Sequence, residues 1–246
     1  MQNYKLRSNL LENRIILITG AAAGIGRQLA LTCAEYGANV ILLDCHLARL
    51  SRVFDEIKQL HYPEACIHPF DLATATAAHY SELIIAIEKR YGRLDGLVHN
   101  AAIIEGLTPI EHYEPEHWYK VLQVNLNAPF HLTQACLPLL KKSNDASILF
   151  TSDAQGAKAT AYWGAYAVAK AGCERLSEIL ADELETNTSI RVNCIVPQPT
   201  HTTLRSQIFP GEAPDTLCHP QQLMPTYLYL LGPDSSTARG LRTKTP

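Results

Sequence analysis

A continuous apolar run, Arg14-Ile15-Ile16-Leu17-Ile18-Thr19, leads directly into Gly20-Ala21-Ala22-Ala23-Gly24-Ile25-Gly26. A run without polar alternation suits a strand buried on both faces, as in parallel sheets covered by helices. The pattern repeats. Strand-like runs fall at 14–19, 39–43, 66–70, 94–99, 146–151 and 189–196, with a short one at 240–243. Helical spacing lies between them, at 24–36, 47–60, 75–91, 115–140, 161–187 and 220–231. Leu47, Leu50, Phe54, Ile57 and Leu60 form one apolar stripe. Pro129 and Pro138 enter the 115–140 helix as kinks or as an early end. Regular alternation predicts an α/β fold, a doubly wound parallel sheet of about seven strands with helices on both faces. No linker or repeat divides the chain, so 1–246 reads as one domain. Ligands of such sheets sit at the carboxyl ends of the strands, near the switch point. The aperiodic segment at about 198–219, rich in Pro, Thr and Gln, is expected to be a loop over the substrate.

Composition removes several other classes. Lys and Arg number 21 against 24 Asp and Glu, a net charge of −3, and no basic block is present. A nucleic-acid partner is therefore not expected. No apolar run approaches the roughly 20 residues a membrane helix needs, and Val40–Leu43 is strand-sized. Met1-Gln2-Asn3-Tyr4-Lys5 has no apolar segment behind it, so no secretory signal is expected. The seven cysteines include no C-x-x-C pair and suit a reducing compartment, which predicts a cytoplasmic protein without a disulfide framework. His112 and His117 are the tightest histidine pair, but Pro115 more plausibly starts a helix between them. No metal site is predicted.

The glycine turn carries the first chemistry. Gly20, Gly24 and Gly26 stand between a strand and a helix, where the backbone approaches a pyrophosphate and the helix N-terminus faces it. Asp44 closes the second strand, 24 residues after Gly20. A carboxylate there accepts hydrogen bonds from ribose hydroxyls and repels a 2′-phosphate, so NAD is expected and NADP disfavoured. The second chemistry is a tyrosine–lysine pair. A phenol ordinarily titrates near pH 10, too high for ready proton exchange at neutrality, and a nearby cation lowers it. Tyr166 and Lys170 are four residues apart on one predicted helix and share a face.

Together these residues resemble the short-chain dehydrogenase/reductase family in its single-domain, Rossmann-type form. T-G-x-x-x-G-I-G at 19–26 is similar to the family's cofactor motif, and His99-Asn100-Ala101-Ala102 to its N-N-A-G. Asn125 matches the helix asparagine, Tyr166–Lys170 the Y-x-x-x-K, and Arg191-Val192-Asn193 with Pro197 the later R-V-N segment. The resemblance covers about residues 10–232. The Trp163-Gly164-Ala165-Tyr166 context resembles a bacterial subgroup of oxidoreductases of unassigned substrate. It implies cofactor contacts from Gly20, Gly24, Ile25, Gly26, Asp44, Asp71, Leu72, Asn100, Tyr166, Lys170 and Thr202. It implies hydride exchange between NAD and an alcohol or carbonyl, with Tyr166 as acid/base. Lys170 would also hold the nicotinamide ribose, and Asn125 a water linking Lys170 to solvent. It further implies a homodimer or homotetramer built on the helices near 115–140 and 161–187.

Three positions depart from the pattern. The family's substrate-holding serine lies thirteen residues before the tyrosine, and Asp153 stands there. Ser152 is one residue early and supplies the hydroxyl only if the strand end bends, because neighbours in a strand face opposite sides. Ala102 replaces one family glycine and Gln198 another, where φ > 0 is otherwise available. All three lie at the nicotinamide end. That leaves two readings, an active oxidoreductase and a degenerate member that binds a dinucleotide with little turnover. A Rossmann-like methyltransferase would have no use for Tyr166 and Lys170.

Overall fold

The computed structural model describes residues 5–245, so the Met1–Tyr4 stretch read for a secretory signal lies outside the described residues. Seven parallel strands form one sheet: β1 (Ile15–Thr19), β2 (Asn39–Asp44), β3 (Ala65–Pro69), β4 (Gly96–His99), β5 (Ser147–Thr151), β6 (Arg191–Val196) and β7 (Arg242–Lys244), in the order β3-β2-β1-β4-β5-β6-β7. Alternate residues feed opposite faces. Ile16 and Ile18 join one core with α1 (Gly24–Glu35), α2 (Leu47–Gln59) and α8 (Pro220–Leu231). Ile15 and Leu17 join the other, with α3 (Ala77–Tyr91), α5 (Ala128–Leu140) and α6 (Gly164–Glu185). This two-sided burial is why the β1 run shows no polar alternation.

Two expected helices differ from the sequence reading. The 115–140 segment is α4 (Pro115–Leu122), a π-helical turn (Gln123–Asn127) and then α5. Pro129 has no N–H to give the Asn125 carbonyl four residues earlier, and a π-turn absorbs the mismatch. The helix expected from 161 starts at Gly164, because Tyr162 (φ 75°) and Gly164 (φ 28°) lie outside right-handed helical space. The expected loop near 198–219 contains α7 (Thr203–Ile208) and a short 3-10 turn at Pro214–Thr216. No described helix is long and apolar enough to cross a membrane.

The chain winds outward from β1 to β3 and returns beside β1 as β4, which sets the switch point between β1 and β4. The Thr19 hydroxyl accepts from the backbone N–H groups of Asn100 and Ala101, both at 3.0 Å, and so joins the two carboxyl ends. A cleft of about 800 Å³ opens there.

Candidate active site

At one end of the cleft stands the glycine turn. Gly20 (φ 67°) and Gly24 (φ 53°) hold left-handed backbone that only glycine adopts at little cost. Ala23, at the N-cap of α1, offers no side-chain cap, so the first-turn amides are left for a ligand. Gly20, Gly24 and Ile25 line the cleft. Gly26 does not line it. Gly26 packs beneath the turn, where an added Cβ would run into the Gly20 carbonyl oxygen and the Asn100 amide. Asn100 Nδ2 donates to the Thr19 carbonyl at 3.2 Å, so its side chain braces the turn.

The carboxylates beyond the turn are partly committed to backbone. Asp44 Oδ2 accepts from Ala22 N–H at 3.1 Å and Oδ1 from His46 N–H at 2.9 Å. Asp71 accepts from Ala73 N–H at 2.9 Å and from the Thr74 hydroxyl at 3.2 Å. Both line the cleft, as does the buried Leu72. Thr202 caps α7 by accepting from Arg205 N–H at 3.1 Å, and its methyl lies over Gly24. The turn, the uncapped helix end and the acidic groups fit a dinucleotide. Among the described residues no cluster of three His, Cys, Asp or Glu side chains stands ready for a metal.

Tyr166 and Lys170 project from α6 into the opposite end. Lys170 is buried, donates to the Thr151 carbonyl at 2.8 Å and lies 5.6 Å from the Tyr166 ring centroid. Burial lowers its pKa, opposed by the neighbouring anionic groups. The Tyr166 phenol is pushed well above its ordinary range, first by burial, then by the charge and hydrogen bond of Asp153. Arg205 acts in the lowering direction. Tyr166 is therefore a neutral phenol, opposite to the activation that the tyrosine–lysine pair alone suggests.

Two catalytic expectations are corrected here. Ser152 does not turn toward Tyr166. Its hydroxyl donates to Glu174 Oε1 at 2.6 Å, and Glu174 in turn accepts from Arg242 Nε at 2.7 Å. The alternation of strand faces continues past Thr151, which leaves Asp153 on the tyrosine side, with Oδ2 3.5 Å from the phenol oxygen. Asn125 is brought near but for another task. Its side chain clamps Ile103, accepting from the N–H at 2.9 Å and donating to the carbonyl at 2.8 Å. Its own carbonyl, which Pro129 cannot serve, accepts from the Cys173 thiol at 2.9 Å. The Asn125 side chain, expected to hold a water linking Lys170 to solvent, is thus committed at both its oxygen and its nitrogen to Ile103. Gln198 lines the cleft without left-handed φ, so the loss of glycine there brings no backbone strain.

Several residues of this end escape a motif-based reading. Arg205 binds Glu212 through Nε and Nη2, both at 2.7 Å, and stacks on Phe209 with 4.0 Å to the centroid. It sits in the aperiodic segment, where nothing in the sequence announces it. Glu174 did carry a signal, since Tyr166, Lys170 and Glu174 recur at four-residue intervals along one face of α6.

Known proteins share this architecture. The sequence model of the short chain dehydrogenase family matches residues 14–213. The uncharacterized oxidoreductase YciK of Escherichia coli (strain K12) is 43% identical over 239 residues, spanning 97% of this chain and 94% of that one. A short chain dehydrogenase from Pseudomonas syringae superposes with a TM-score of 0.97 at 47% identity, covering 99% of each chain. Another, from Shigella flexneri 2a str. 301 and complexed with NADP, superposes with a TM-score of 0.92 at 42% identity, covering 97% of this chain and 99% of that one.

Proposed function

Because the chain belongs to the short chain dehydrogenase family, we propose that it transfers hydride between NAD(H) and a small organic substrate, an alcohol/carbonyl pair in the family's usual chemistry. The observation that carries this reading is the single cleft with the uncapped α1 N-terminus at one end and the buried Tyr166–Lys170 pair at the other. Gly20, Gly24, Ile25 and Thr202 would hold the pyrophosphate region. Asp44 would take the adenosine ribose, and Asp71 and Leu72 would border the adenine. Lys170 would take the nicotinamide ribose. A bound nicotinamide supplies or removes hydride, and Tyr166 donates a hydrogen bond to the substrate's heteroatom. Turnover on a panel of ketones and alcohols, followed by nicotinamide absorbance, tests the reading. A specific observation favours a second one. Asp153 Oδ2 lies 3.5 Å from the phenol, and burial first and then this carboxylate raise the phenol's pKa, as expected of a member that binds dinucleotide with little turnover on carbonyls. Tight NADH binding with no turnover on that panel is its signature.

NAD(H) is the proposed cofactor. Asp44 ends β2 at the cleft, and a 2′-phosphate beside it would meet a like charge. The NADP-bound Shigella flexneri protein is 42% identical, a level at which one cofactor-selecting residue is free to differ. NADH is expected to bind at least about tenfold tighter than NADPH. Titration of both by fluorescence decides this, and equal or tighter NADPH binding rejects it.

A two-fold symmetric dimer or tetramer is proposed through α4, α5 and α6, whose surfaces expose Tyr119, Phe130, Val168 and Ile179. Light scattering at micromolar concentration is expected to give at least twice the 27.2 kDa chain mass. Cytoplasmic residence, proposed from seven free cysteines, is checked by cell fractionation.

A further inference from the structure

The tyrosine end of the cleft presents acceptors where reduction of a neutral carbonyl calls for donors. Asp153 Oδ1 accepts from Gln155 N–H at 2.9 Å, while Oδ2 has the Tyr166 phenol at 3.5 Å, a long contact. Gln155, whose N–H holds that carboxylate in place, lines the same cleft. The nearby cations are already engaged. Arg205 is paired in a fork with Glu212, and Lys170 donates to the Thr151 carbonyl. Trp163, also on the cleft wall, lies with its ring centroid 5.6 Å from that of Tyr166, an aromatic surface that suits a cation.

We propose that this site takes a primary or secondary amine and its iminium counterpart, with the Asp153 carboxylate receiving the nitrogen's hydrogens. The proposal rests on the reading of the cleft as a nicotinamide-dependent hydride-transfer site. In the oxidative direction the amine reacts as its free base, the ammonium proton having passed to solvent. The α C–H bond breaks, and its electron pair leaves as hydride to the nicotinamide. The nitrogen lone pair closes the C=N bond. The substrate loses two electrons and the oxidised dinucleotide gains two. Water then hydrolyses the released iminium to a carbonyl and either ammonia, from a primary amine, or a smaller amine, from a secondary one. Positive charge grows on nitrogen as hydride departs, and the Asp153 carboxylate favours it. In alcohol or carbonyl chemistry the corresponding charge on oxygen is negative, and the same carboxylate opposes it. The Tyr166 phenol, kept neutral by burial and by Asp153, turns its O–H toward Asp153 Oδ2 and leaves the nitrogen lone pair free to form the C=N bond.

1-Phenylethylamine and 1-phenylethanol differ only in the heteroatom and make a matched pair of probes. Calorimetric titration into the NADH-loaded protein reads binding without turnover. The amine is expected to bind at least about tenfold tighter than the alcohol, and Asp153→Asn to remove most of that difference, as loss of a charge-assisted hydrogen bond predicts. Asp153→Ser serves as a second variant, with circular dichroism confirming that each folds. With NAD⁺, wild-type protein is expected to form NADH faster from the amine than from the alcohol. Equal affinities, an amine affinity indifferent to Asp153→Asn, or NADH formed from the alcohol alone would each overturn the amine assignment while leaving the hydride-transfer reading intact. Failure of NADH itself to bind removes that underlying reading, and the assignment with it.

Discussion

Replacing Asp153 with serine is expected to raise kcat/KM for reduction of a simple ketone by about tenfold or more at pH 7. Tyr166→Phe is expected to lower what activity the wild type has by two orders of magnitude or more, within the usual range of about 10² to 10⁴ for a lost proton donor. The first effect follows from the charge on Asp153. A carboxylate about 5 Å from a developing alkoxide, at an effective dielectric of about 20, opposes it by ~3 kcal/mol. Asp153 is only half-buried, so solvent screening removes part of this. Even half of that energy is worth about tenfold in rate. The substitution also restores a neutral hydroxyl at the position where the substrate oxygen needs a donor. Ser152 cannot supply one while its hydroxyl is held by Glu174. The phenol gives an independent readout. Burial and Asp153 both raise its pKa. Removing the anion therefore moves the ultraviolet ionisation midpoint of Tyr166 downward in Asp153→Ser, though burial keeps it elevated. If Asp153→Ser instead costs as much ketone reductase activity as Tyr166→Phe, Asp153 is a working group in carbonyl chemistry and the electrostatic argument fails.

The same residues show where the sequence was readable. Strand and helix order was legible because the central strands, β1 and β5 above all, are buried on both sides and show as apolar runs, while the partly exposed edge strands β3 and β7 left weaker marks. The glycine turn was legible because its requirement is steric and local. What escaped was decided by tertiary partners. Strand alternation puts Asp153 on the phenol's side, but what holds Ser152 on the other, Glu174, lies twenty-two residues away and is itself held by Arg242 from the last strand. The π-turn at Gln123–Asn127 reflects Pro129, which the sequence displayed, and Cys173 of a different helix, which it did not connect. Arg205 and Glu212, seven residues apart, meet across the turns that follow α7 at Phe209, and no periodicity marks those turns. The glycine-turn end was thus fixed by backbone demands visible in one dimension. The tyrosine end was fixed largely by side-chain contacts that the order of residues does not display.

That division makes Gly26 the sharpest test of the cofactor end. Gly26→Ala is expected to weaken NADH binding by about a hundredfold, or ~3 kcal/mol. Within α1 alone the change should help, since alanine is favoured over glycine in a helix by about 1 kcal/mol. Against that stands the collision of the new Cβ with the Gly20 carbonyl and the Asn100 amide. Neither neighbour yields freely. Gly20 holds left-handed backbone, and Asn100 is tied to the Thr19 carbonyl, so forced accommodation costs about 1–3 kcal/mol and displaces the turn. The amides that would meet the pyrophosphate move with it, and backbone donors cannot re-aim as a side chain can. The penalty should therefore appear in affinity beyond any loss of stability. Gly211→Ala provides the control, because a Cβ there meets nothing within 4 Å. NADH fluorescence titrations on the three proteins, with Tm recorded beside them, separate the effects. Wild-type affinity in Gly26→Ala would mean that the glycine turn does not hold the pyrophosphate, and the dinucleotide would have to be placed elsewhere in the cleft.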